Sequence, residues 1–255
     1  FTYTLNRTSD QFGQVDNRGV WGGKARRSWV TEFGDGKSLQ NTLGLQVRQD
    51  RIRLGLYDTL ARDIQATVRD DDVHQALVGL YGENETGWNP WLRTLAGLRV
   101  DQFSAHVTSH SQALNSGYAK AVKVSPKLSV ILGPWHQTEF FLNSGRGFHS
   151  NDARGTTQPV DPVSPLVRTQ ASELGVRWTV RPGWTSTVSL WQLKTASELL
   201  FVGDAGTTEP SRPSRRSGLE WGHFVRVGQH VGDGVDRRAG NAENGHKELG
   251  GHDAR

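Results

Sequence analysis

Residues that could perform chemistry are few in this sequence and stand apart from one another. Asp70, Asp71 and Asp72 offer carboxylate oxygens to a hard cation. Neighbouring residues of a strand point to opposite faces, however, so we expect these three to form a solvated edge. His106 and His110 have the spacing of metal ligands on a helix, but they lie where a strand passes into a loop. We predict no metal site and no cofactor.

Motifs of catalysis are missing from the sequence. There is no glycine-rich phosphate loop before a helix and no Gly-x-Ser-x-Gly elbow. No pair of carboxylates stands out for acid–base chemistry. The chain has no cysteine, which excludes disulfides and thiolate metal sites. We therefore predict that the protein is not an enzyme.

A polar segment beyond a strand could bind a ligand. His149, Asn151, Asp152 and Arg154 supply donors and acceptors on a long loop, where binding residues tend to lie on a rigid scaffold. Asn and Asp also commonly fix loops through bonds to the backbone. Both interpretations remain open, and the structural one is favoured.

Charged residues in the middle of strands form a second candidate set. These residues are Arg93, Arg99, Asp101, Lys123, Lys127, Glu173 and Arg177. A Lys or Arg facing lipid at the bilayer midplane costs about 2–4 kcal/mol, so we expect this set to face an interior. There the charges could bond a plug through charge-assisted hydrogen bonds, or they could solvate the wall of a channel.

Alternating apolar residues predict the strands that position these side chains. In the runs 92–102, 122–132 and 173–180 apolar residues occupy most of the alternate positions, and the positions between them are mostly polar or glycine, with Leu95 and Ile131 as exceptions. Near residues 49–51 the alternation changes phase, which predicts a bulge or an exit from the membrane. Charges confined to one face of such strands are typical of a membrane barrel with a wet or plugged interior.

Tight turns divide the chain at regular intervals. They lie at residues 34–36, 88–91, 133–135 and 181–184, and Trp88, Trp91, Trp135 and Trp184 at these turns predict an aromatic girdle. Strands are predicted near 1–6, 20–34, 38–55, 71–87, 91–107, 120–133, 137–147, 168–181, 184–201 and 214–222. Long loops are predicted near 7–19, 56–70, 108–119, 148–167 and 202–213. Short turns at one end and long loops at the other predict an all-β, antiparallel transmembrane β-barrel; a soluble β-protein with Trp-capped hairpins is the alternative.

Composition agrees with this fold class. Hydrophobic residues make up only 35% of the 255 residues and the net charge is +4, with basic and acidic residues interspersed, which disfavours nucleic-acid binding. No apolar run approaches the roughly 18 residues of a membrane helix. The chain starts in a strand-like run and contains no Met, so we expect a fragment, with a barrel part at 1–221. Residues 222–255 are expected to form an irregular tail that is disordered or read in a shifted frame.

Several segments resemble TonB-dependent outer-membrane receptors. The stretch Gly145 to Gly155, GRGFHSNDARG, is similar to a signature of their barrels. Further similar pieces are 81–85, 97–101, 124–128, 197–204 and 214–221, so the resemblance covers about residues 1–221.

The resemblance implies a function in nutrient uptake. Receptors of this family are 22-stranded barrels with an N-terminal plug, and they import siderophores, cobalamin or similar nutrients with energy delivered by TonB. It implies an outer-membrane location, about ten of the barrel's strands, and as partners TonB, a plug, lipid and lipopolysaccharide, and a small-molecule ligand. Arg212, Arg215 and Arg216 would offer cations to lipopolysaccharide phosphates or form a hydrated rim. The alternatives are a non-functional truncated product, a plug-less porin-type barrel, and a soluble β-sheet binding module.

Overall fold

Long antiparallel strands account for most of the chain. The computed structural model describes residues 1–34, 37–159, 162–197, 199–202, 207–210 and 212–226. The strands are β1 (Thr2–Thr8), β2 (Phe12–Phe33), β3 (Lys37–Leu60), β4 (Asp63–Asn89), β5 (Leu92–Ser109), β6 (Gly117–Trp135), β7 (Thr138–Ser150), β8 (Leu166–Arg181), β9 (Trp184–Thr195), β10 (Leu199–Val202), β11 (Thr207–Pro210) and β12 (Ser214–Val225). A short helix, α1 (Ala153–Thr157), lies between β7 and β8, and a 3₁₀ turn (Ala113–Asn115) lies between β5 and β6.

Ten of these strands form one sheet whose spatial order follows the chain. The order is β1-β2-β3-β4-β5-β6-β7-β8-β9-β12, and each neighbouring pair is antiparallel. β10 and β11 pair with each other as a separate hairpin between β9 and β12. The all-β antiparallel class and the ten strands of the sheet are thus confirmed.

The described turns after β4, β6 and β8 are short, as predicted, and lie at one end of the sheet, which we call the short-turn end. The connections after β1 and β3, at the opposite end, are short as well. Pro90 and Trp91 join β4 to β5, and Pro182 and Gly183 join β8 to β9. The turn predicted at 133–135 lies two residues later, at His136 and Gln137, which both adopt positive φ angles. The turn between β2 and β3 includes residues 35 and 36, which are outside the described residues.

Two of the five predicted long loops are strands. Only residues 9–11 join β1 to β2, and only Ala61 and Arg62 join β3 to β4. β2, β3 and β4 have 22, 24 and 27 residues, whereas a membrane crossing needs about 9–11. These hairpins therefore continue far beyond one membrane thickness. Loops were predicted at residues 7–19 and 56–70 because these segments are polar. Longer connections remain after β5, β7 and β9.

The predicted phase change near 49–51 is not a bulge. The registers of β2 with β3 and of β3 with β4 run unbroken through these residues, and the irregularities lie between Leu56 and Tyr57 and between Asp58 and Thr59. The apolar residues change face instead: Leu45 is 43% exposed, whereas Ile52 is 8% exposed.

A small apolar core explains this change of face. The segment after β7 packs on the sheet at the end opposite the short turns, and its contacts involve β4, β5 and β6. The buried members of this core are Ile52, Val73, Phe103, Ala105, Val107, Ala153 and Leu166. In the halves of β3, β4 and β5 that lie far from the short turns, apolar residues therefore face this segment, because burial against it removes them from water.

No helix among the described residues is long and apolar enough to span a membrane. Chain contacts divide the protein into two units, Phe1–Val225 and Arg226–Arg255. β12 continues to Val225, and residues 227–255 lie outside the described part of the chain. The predicted tail therefore remains a prediction over nearly all of its length.

Candidate functional site

One face of the sheet carries an exposed apolar band, and we call it the outer face. Leu45, Leu80, Val100 and Val124 are direct partners across β3 to β6 and are 41–61% exposed. A similar row, formed by Leu142, Leu174, Leu190 and Leu219, crosses β7, β8, β9 and β12 and is 50–66% exposed. Apolar patches of this width are rare on soluble monomers, so the band is suited to lipid.

Tryptophans border this band at the short-turn end. Trp88, Trp91 and Trp135 are 44–53% exposed, and the rings of Trp91 and Trp135 stack with centroids 6.2 Å apart. Such amphipathic rings prefer the boundary between lipid and water. Trp88, Trp91 and Trp135 therefore lie at the end of the sheet where the aromatic girdle is predicted.

The opposite face, which we call the inner face, carries the predicted charged residues. Arg99 donates from Nε and Nη2 to both carboxylate oxygens of Asp101 at 2.6–2.9 Å, and Asp101 is fully buried. Lys123 lies directly opposite Asp101 in the β5–β6 register. Asn143 donates to Glu173 at 3.0 Å across β7 and β8.

Some inner-face bonds reach across an intervening strand. Glu139 of β7 accepts from Arg93 of β5 and from Arg177 of β8, both at 2.7 Å. Lys127 of β6 donates to Glu83 of β4 at 2.6 Å. All seven predicted inner-face residues therefore lie on one side of the sheet, and six of them bond neighbours in the wall. This pairing agrees with a role in ordering the wall, and contact with a plug stays a prediction.

Glycines make these long reaches possible. A methyl group added to Gly97 would lie 2.7 Å from Cε of Lys127, which passes over Gly97 to reach Glu83. Arg99 passes over Gly79 in the same way and reaches Gln46. Because glycine has no side chain, the long side chains can lie flat along the inner face instead of filling the space beside it.

An inner-face cleft follows from this arrangement. It has a volume of about 640 Å³, and its lining includes Tyr81, Arg99, Lys127 and Phe148. This volume lies within the range of small-molecule sites. The cleft combines four cationic residues, Arg26, Arg99, Lys127 and Arg146, with one acid, Glu83, and two aromatic rings, which suits a polar or anionic ligand.

The Gly145 to Gly155 motif directs the chain onto the inner face. Gly145 is the last residue of β7 that pairs with β6, and residues 146–150 pair only with β8. Half-buried His149 lies opposite Val167. Asn151 is buried, and its side chain donates to the carbonyl of Ser164 at 2.8 Å while its backbone amide donates to that of Pro165 at 2.9 Å. The side chain and the backbone N–H of Asn151 therefore both close the 151–165 loop, which we call the motif loop.

Asp152 and Arg154 hold the start of α1. Asp152 accepts the backbone N–H of Arg154 at 2.9 Å and receives its guanidinium through bonds of 2.7–3.2 Å. Burial alone would raise the pKa of Asp152, but the bonds from Arg154 outweigh it and hold the pKa below its usual value. The polar groups of Asn151, Asp152 and Arg154 thus have partners within the protein, which supports the loop-fixing interpretation; a ligand-binding role stays a prediction.

Ion pairs beneath the motif loop were missed by the sequence prediction. Asp71 is fully buried, bonds Arg69 at 3.1 Å and lies 3.9 Å from Arg154. The expectation of a solvated edge is therefore wrong for Asp71, because the motif loop covers it. Asp50 is also buried and bonds Arg48 at 2.9 and 3.0 Å.

A short spacing could have revealed these pairs. Arginine and aspartate stand two residues apart at Asp16/Arg18, Arg48/Asp50, Arg69/Asp71, Arg99/Asp101 and Asp152/Arg154, and each pair is bonded. In a strand, residues i and i+2 share one face. For the four pairs that lie in strands, the repeated spacing therefore marks one charged face before any fold is known; Asp152 and Arg154 lie at the start of α1 instead.

Comparison with known proteins identifies the family. Residues 1–236 match the family described as TonB dependent receptor-like, beta-barrel. No curated protein matches the sequence. This family consists of non-enzymatic outer-membrane transporters, which agrees with the prediction that the protein is not an enzyme.

Solved receptor structures have the same fold. The ferric citrate transporter FecA superposes with a TM-score of 0.63 at 14% identity, over 87% of this chain and 34% of FecA. The siderophore receptor PiuA from Acinetobacter baumannii gives 0.66 at 11% identity, over 89% and 40%. The copper transporter OprC gives 0.62 at 16% identity, over 85% and 36%. The chain thus spans between a third and two fifths of the length of these relatives. The resemblance seen in the Gly145 to Gly155 motif is confirmed, and this chain belongs to the TonB-dependent receptor-like β-barrel family.

Proposed function

We propose that this chain forms part of the wall of an outer-membrane receptor that takes up a scarce nutrient. The observation that carries the proposal is the contrast between the two faces of one sheet. Exposed leucine and valine rows cover the outer face, whereas ion pairs and glycines cover the inner face. A soluble β-sheet module would not expose such rows to water.

The relatives and the cleft support the nutrient class that we propose. FecA is named as a ferric citrate transporter and PiuA as a siderophore receptor. The inner-face cleft presents Arg99 and Lys127 beside aromatic rings. A polar metal chelate, such as a ferric siderophore, or a nutrient such as cobalamin would fit this chemistry. Import would require TonB and a plug, both acting through parts of the receptor outside this chain.

Membrane placement can be tested with single cysteines, because the chain has none of its own. Leu98→Cys and Val100→Cys would lie on the outer face, whereas Leu95→Cys on the same strand and Ser129→Cys, opposite it on β6, would lie on the inner face. In outer membranes of cells expressing the complete gene, a water-soluble maleimide should label the inner pair and spare the outer pair. Leu114→Cys, in the loop after β5, should react in every case.

Equal labelling of the two faces would rule out a lipid-facing band.

A separate uptake experiment tests transport. Cells carrying the receptor should accumulate an iron chelate or cobalamin only when TonB is present, and accumulation that is unchanged without TonB would point to a plug-less porin.

A further inference from the structure

The sheet opens between β6 and β7 at the end opposite the short turns. The pairing of β6 with β7 stops at Lys127 and Gly145, although β6 continues well beyond this pair. The next pair in this register would join Pro126 to Arg146, and proline has no N–H to donate. Among the residues that the structure describes, 118–126 therefore have a partner strand only on the β5 side. We call their other side the open edge.

Backbone groups of alternate residues point into the open edge. Gly133 donates its N–H to the carbonyl of Trp91 of β5 at 2.8 Å, and the β5–β6 register continues without a break from there. Because successive residues of an antiparallel strand bond to opposite neighbours, the odd-numbered residues of β6 bond to β5. The even-numbered residues direct their N–H and C=O groups into the open edge, namely Tyr118, Lys120, Val122 and Val124. Such a row of groups can accept an added strand.

The open edge is covered on its inner side and exposed on its outer side. Ala119 is 8% exposed, and the hydroxyl of Thr157 in the motif loop donates to the carbonyl of Asn115, just before β6, at 2.9 Å. On the outer face, Tyr118 and Val122 are 76% and 61% exposed. Because the motif loop covers the start of β6 from within, a partner strand reaches the open edge from outside.

Two cations border the open edge. Lys120 belongs to the edge itself, and Arg146 follows the last β6–β7 pair. Both are exposed, and neither forms an ion pair with any residue in the described part of the chain. Acidic residues are missing from the sequence of 117–126 and of 145–150. The open edge is therefore bordered by positive charge, which favours an acidic partner.

We propose that the open edge binds an extended, acidic segment of a second protein at the cell surface, which adds to β6 as a further strand. The backbone of this segment bonds to Lys120, Val122 and Val124, and its carboxylates pair with Lys120 and Arg146. About 20 Å along the strand separates the levels of these two cations. A second copy of this chain is disfavoured, because its own open edge would bring like charges together.

The added strand lies in the plane of the wall, whereas a plug contacts the inner face. The partner is therefore distinct from the plug. This inference rests on the membrane placement proposed above, but it concerns a protein partner and not the imported nutrient.

Two synthetic peptides test whether the open edge accepts a strand. Each has about ten residues and blocked ends; one alternates Thr with Glu, and the other alternates Thr with Lys. The receptor from the complete gene is purified in detergent, and peptide binding is measured by fluorescence anisotropy. We expect the Glu peptide to bind, and the Lys peptide to bind about tenfold or more weakly. Methylation of every second backbone nitrogen of the Glu peptide should abolish binding for one alternate set and spare it for the other, because an added strand bonds through one of its two edges.

Variants of the receptor show where the peptide binds. Lys120→Gln/Arg146→Gln removes two cations from the open edge, whereas Arg7→Gln/Lys24→Gln removes two exposed cations from β1 and β2. Only the first should weaken binding of the Glu peptide, by about tenfold. Val122→Pro removes an N–H from the open edge without removing a bond to β5, and it should weaken binding to a similar extent. Val122→Thr keeps this N–H and should bind as the unmodified receptor does.

Each further outcome would contradict the proposal. These outcomes are no binding of the Glu peptide, equal binding of both peptides, and equal loss from both methylated sets. Loss in the charge variant but not in Val122→Pro would place the peptide in the inner-face cleft, which Arg146 also lines. Slow hydrogen exchange of the Val122 amide without peptide would show that another part of the receptor occupies the open edge.

Two controls keep these outcomes distinct. Heat modifiability of the barrel on gels reports the folding of each variant. If Val122→Pro does not fold, the methylated peptides test the same bonds on the unmodified receptor. Cysteine labelling reports the membrane placement independently, so its failure can be told from loss of peptide binding.

Discussion

Arginine–aspartate pairs at a spacing of two residues determine how the inner face is built. Each pair is formed locally within one segment, so its geometry depends little on distant parts of the chain. Their assembly is not local: Arg154 of the motif loop approaches Asp71 of β4. The motif loop is therefore attached to the sheet by charges that have little access to water.

Replacing Arg154 tests this attachment. Arg154→Met would leave Asp152 without its partner and Asp71 with only Arg69, in a region where unpaired charge is costly. Removing one member of a buried pair costs about 3–5 kcal/mol, reduced here because Arg154 keeps 20% of its side-chain surface exposed. We expect hydrogen exchange of the amides of α1 to increase by a hundredfold or more, or about 3 kcal/mol.

A surface pair provides the matched control. Arg53 approaches Asp70 at 3.7 Å and is 62% exposed, so Arg53→Met should change the same amides by less than about 1 kcal/mol. Adding Asp152→Asn to Arg154→Met should recover part of the loss, because the uncompensated charge is then removed. Equal exchange in the Arg53 and Arg154 variants would mean that apolar packing alone holds the loop.

The pKa of Asp152 predicts how loop attachment responds to acid. Burial raises the pKa of this carboxyl, but the bonds from Arg154 outweigh burial and hold the pKa below its usual value in the folded protein. The unfolded loop therefore binds more protons than the folded loop as pH falls. The stabilisation is fully present above the ordinary carboxyl pKa of about 3.9 and is lost as pH falls through the lower folded value. The exchange difference between the unmodified protein and Asp152→Asn should therefore shrink below about pH 4. Asp10→Asn, at a carboxylate that is 77% exposed, should show no such trend; a difference that stays constant in acid would assign the effect to capping geometry.

Strands are positioned by glycines as much as by apolar residues. Gly79 lies beneath Arg99 and Asp101, and an added methyl would stand 2.7 Å from Cζ of Arg99. Gly79→Ala should displace Arg99 and weaken the pair with fully buried Asp101, at a cost of about 1–3 kcal/mol. The free energy of unfolding by urea in lipid vesicles measures this cost. Gly23→Ala on β2 is the control, because no atom lies within 4 Å of the added methyl, and equal costs would show that only strand propensity had changed.

Sequence patterns predicted the strands well where one face meets lipid. The runs 92–102 and 122–132 alternate along most of their length, and β5 and β6 contain them. The pattern failed along β3, where Leu45 faces outward and Ile52 inward, because the motif loop that covers Ile52 belongs to a distant part of the chain. Asp71 was misplaced for the same reason. Local alternation shows which face of a strand is apolar, but it does not show which distant segment of the chain covers that face.

The sheet as a whole has two edges, and they limit what this chain can do alone. β1 pairs only with β2, and β12 pairs only with β9, among the residues that the structure describes. Edge strands present unpaired N–H and C=O groups, which cost several kcal/mol each in the hydrocarbon core of a membrane. Insertion therefore requires further strands on both edges, in agreement with the share of each relative that this chain covers.

Expression of residues 1–226 by themselves tests this requirement. We expect this segment to aggregate or to remain outside the membrane, whereas the product of the complete gene should give a protease-resistant band whose mobility changes on heating. The physical reason is that ten strands leave both edges unpaired, and neither the exposed leucine rows nor the inner-face ion pairs can satisfy those backbone groups. A second copy could pair the edges instead, and crosslinking through a cysteine placed at Thr4 would detect it. A heat-modifiable monomer of residues 1–226 would show that the sheet closes on itself, and the requirement for flanking strands would then be wrong.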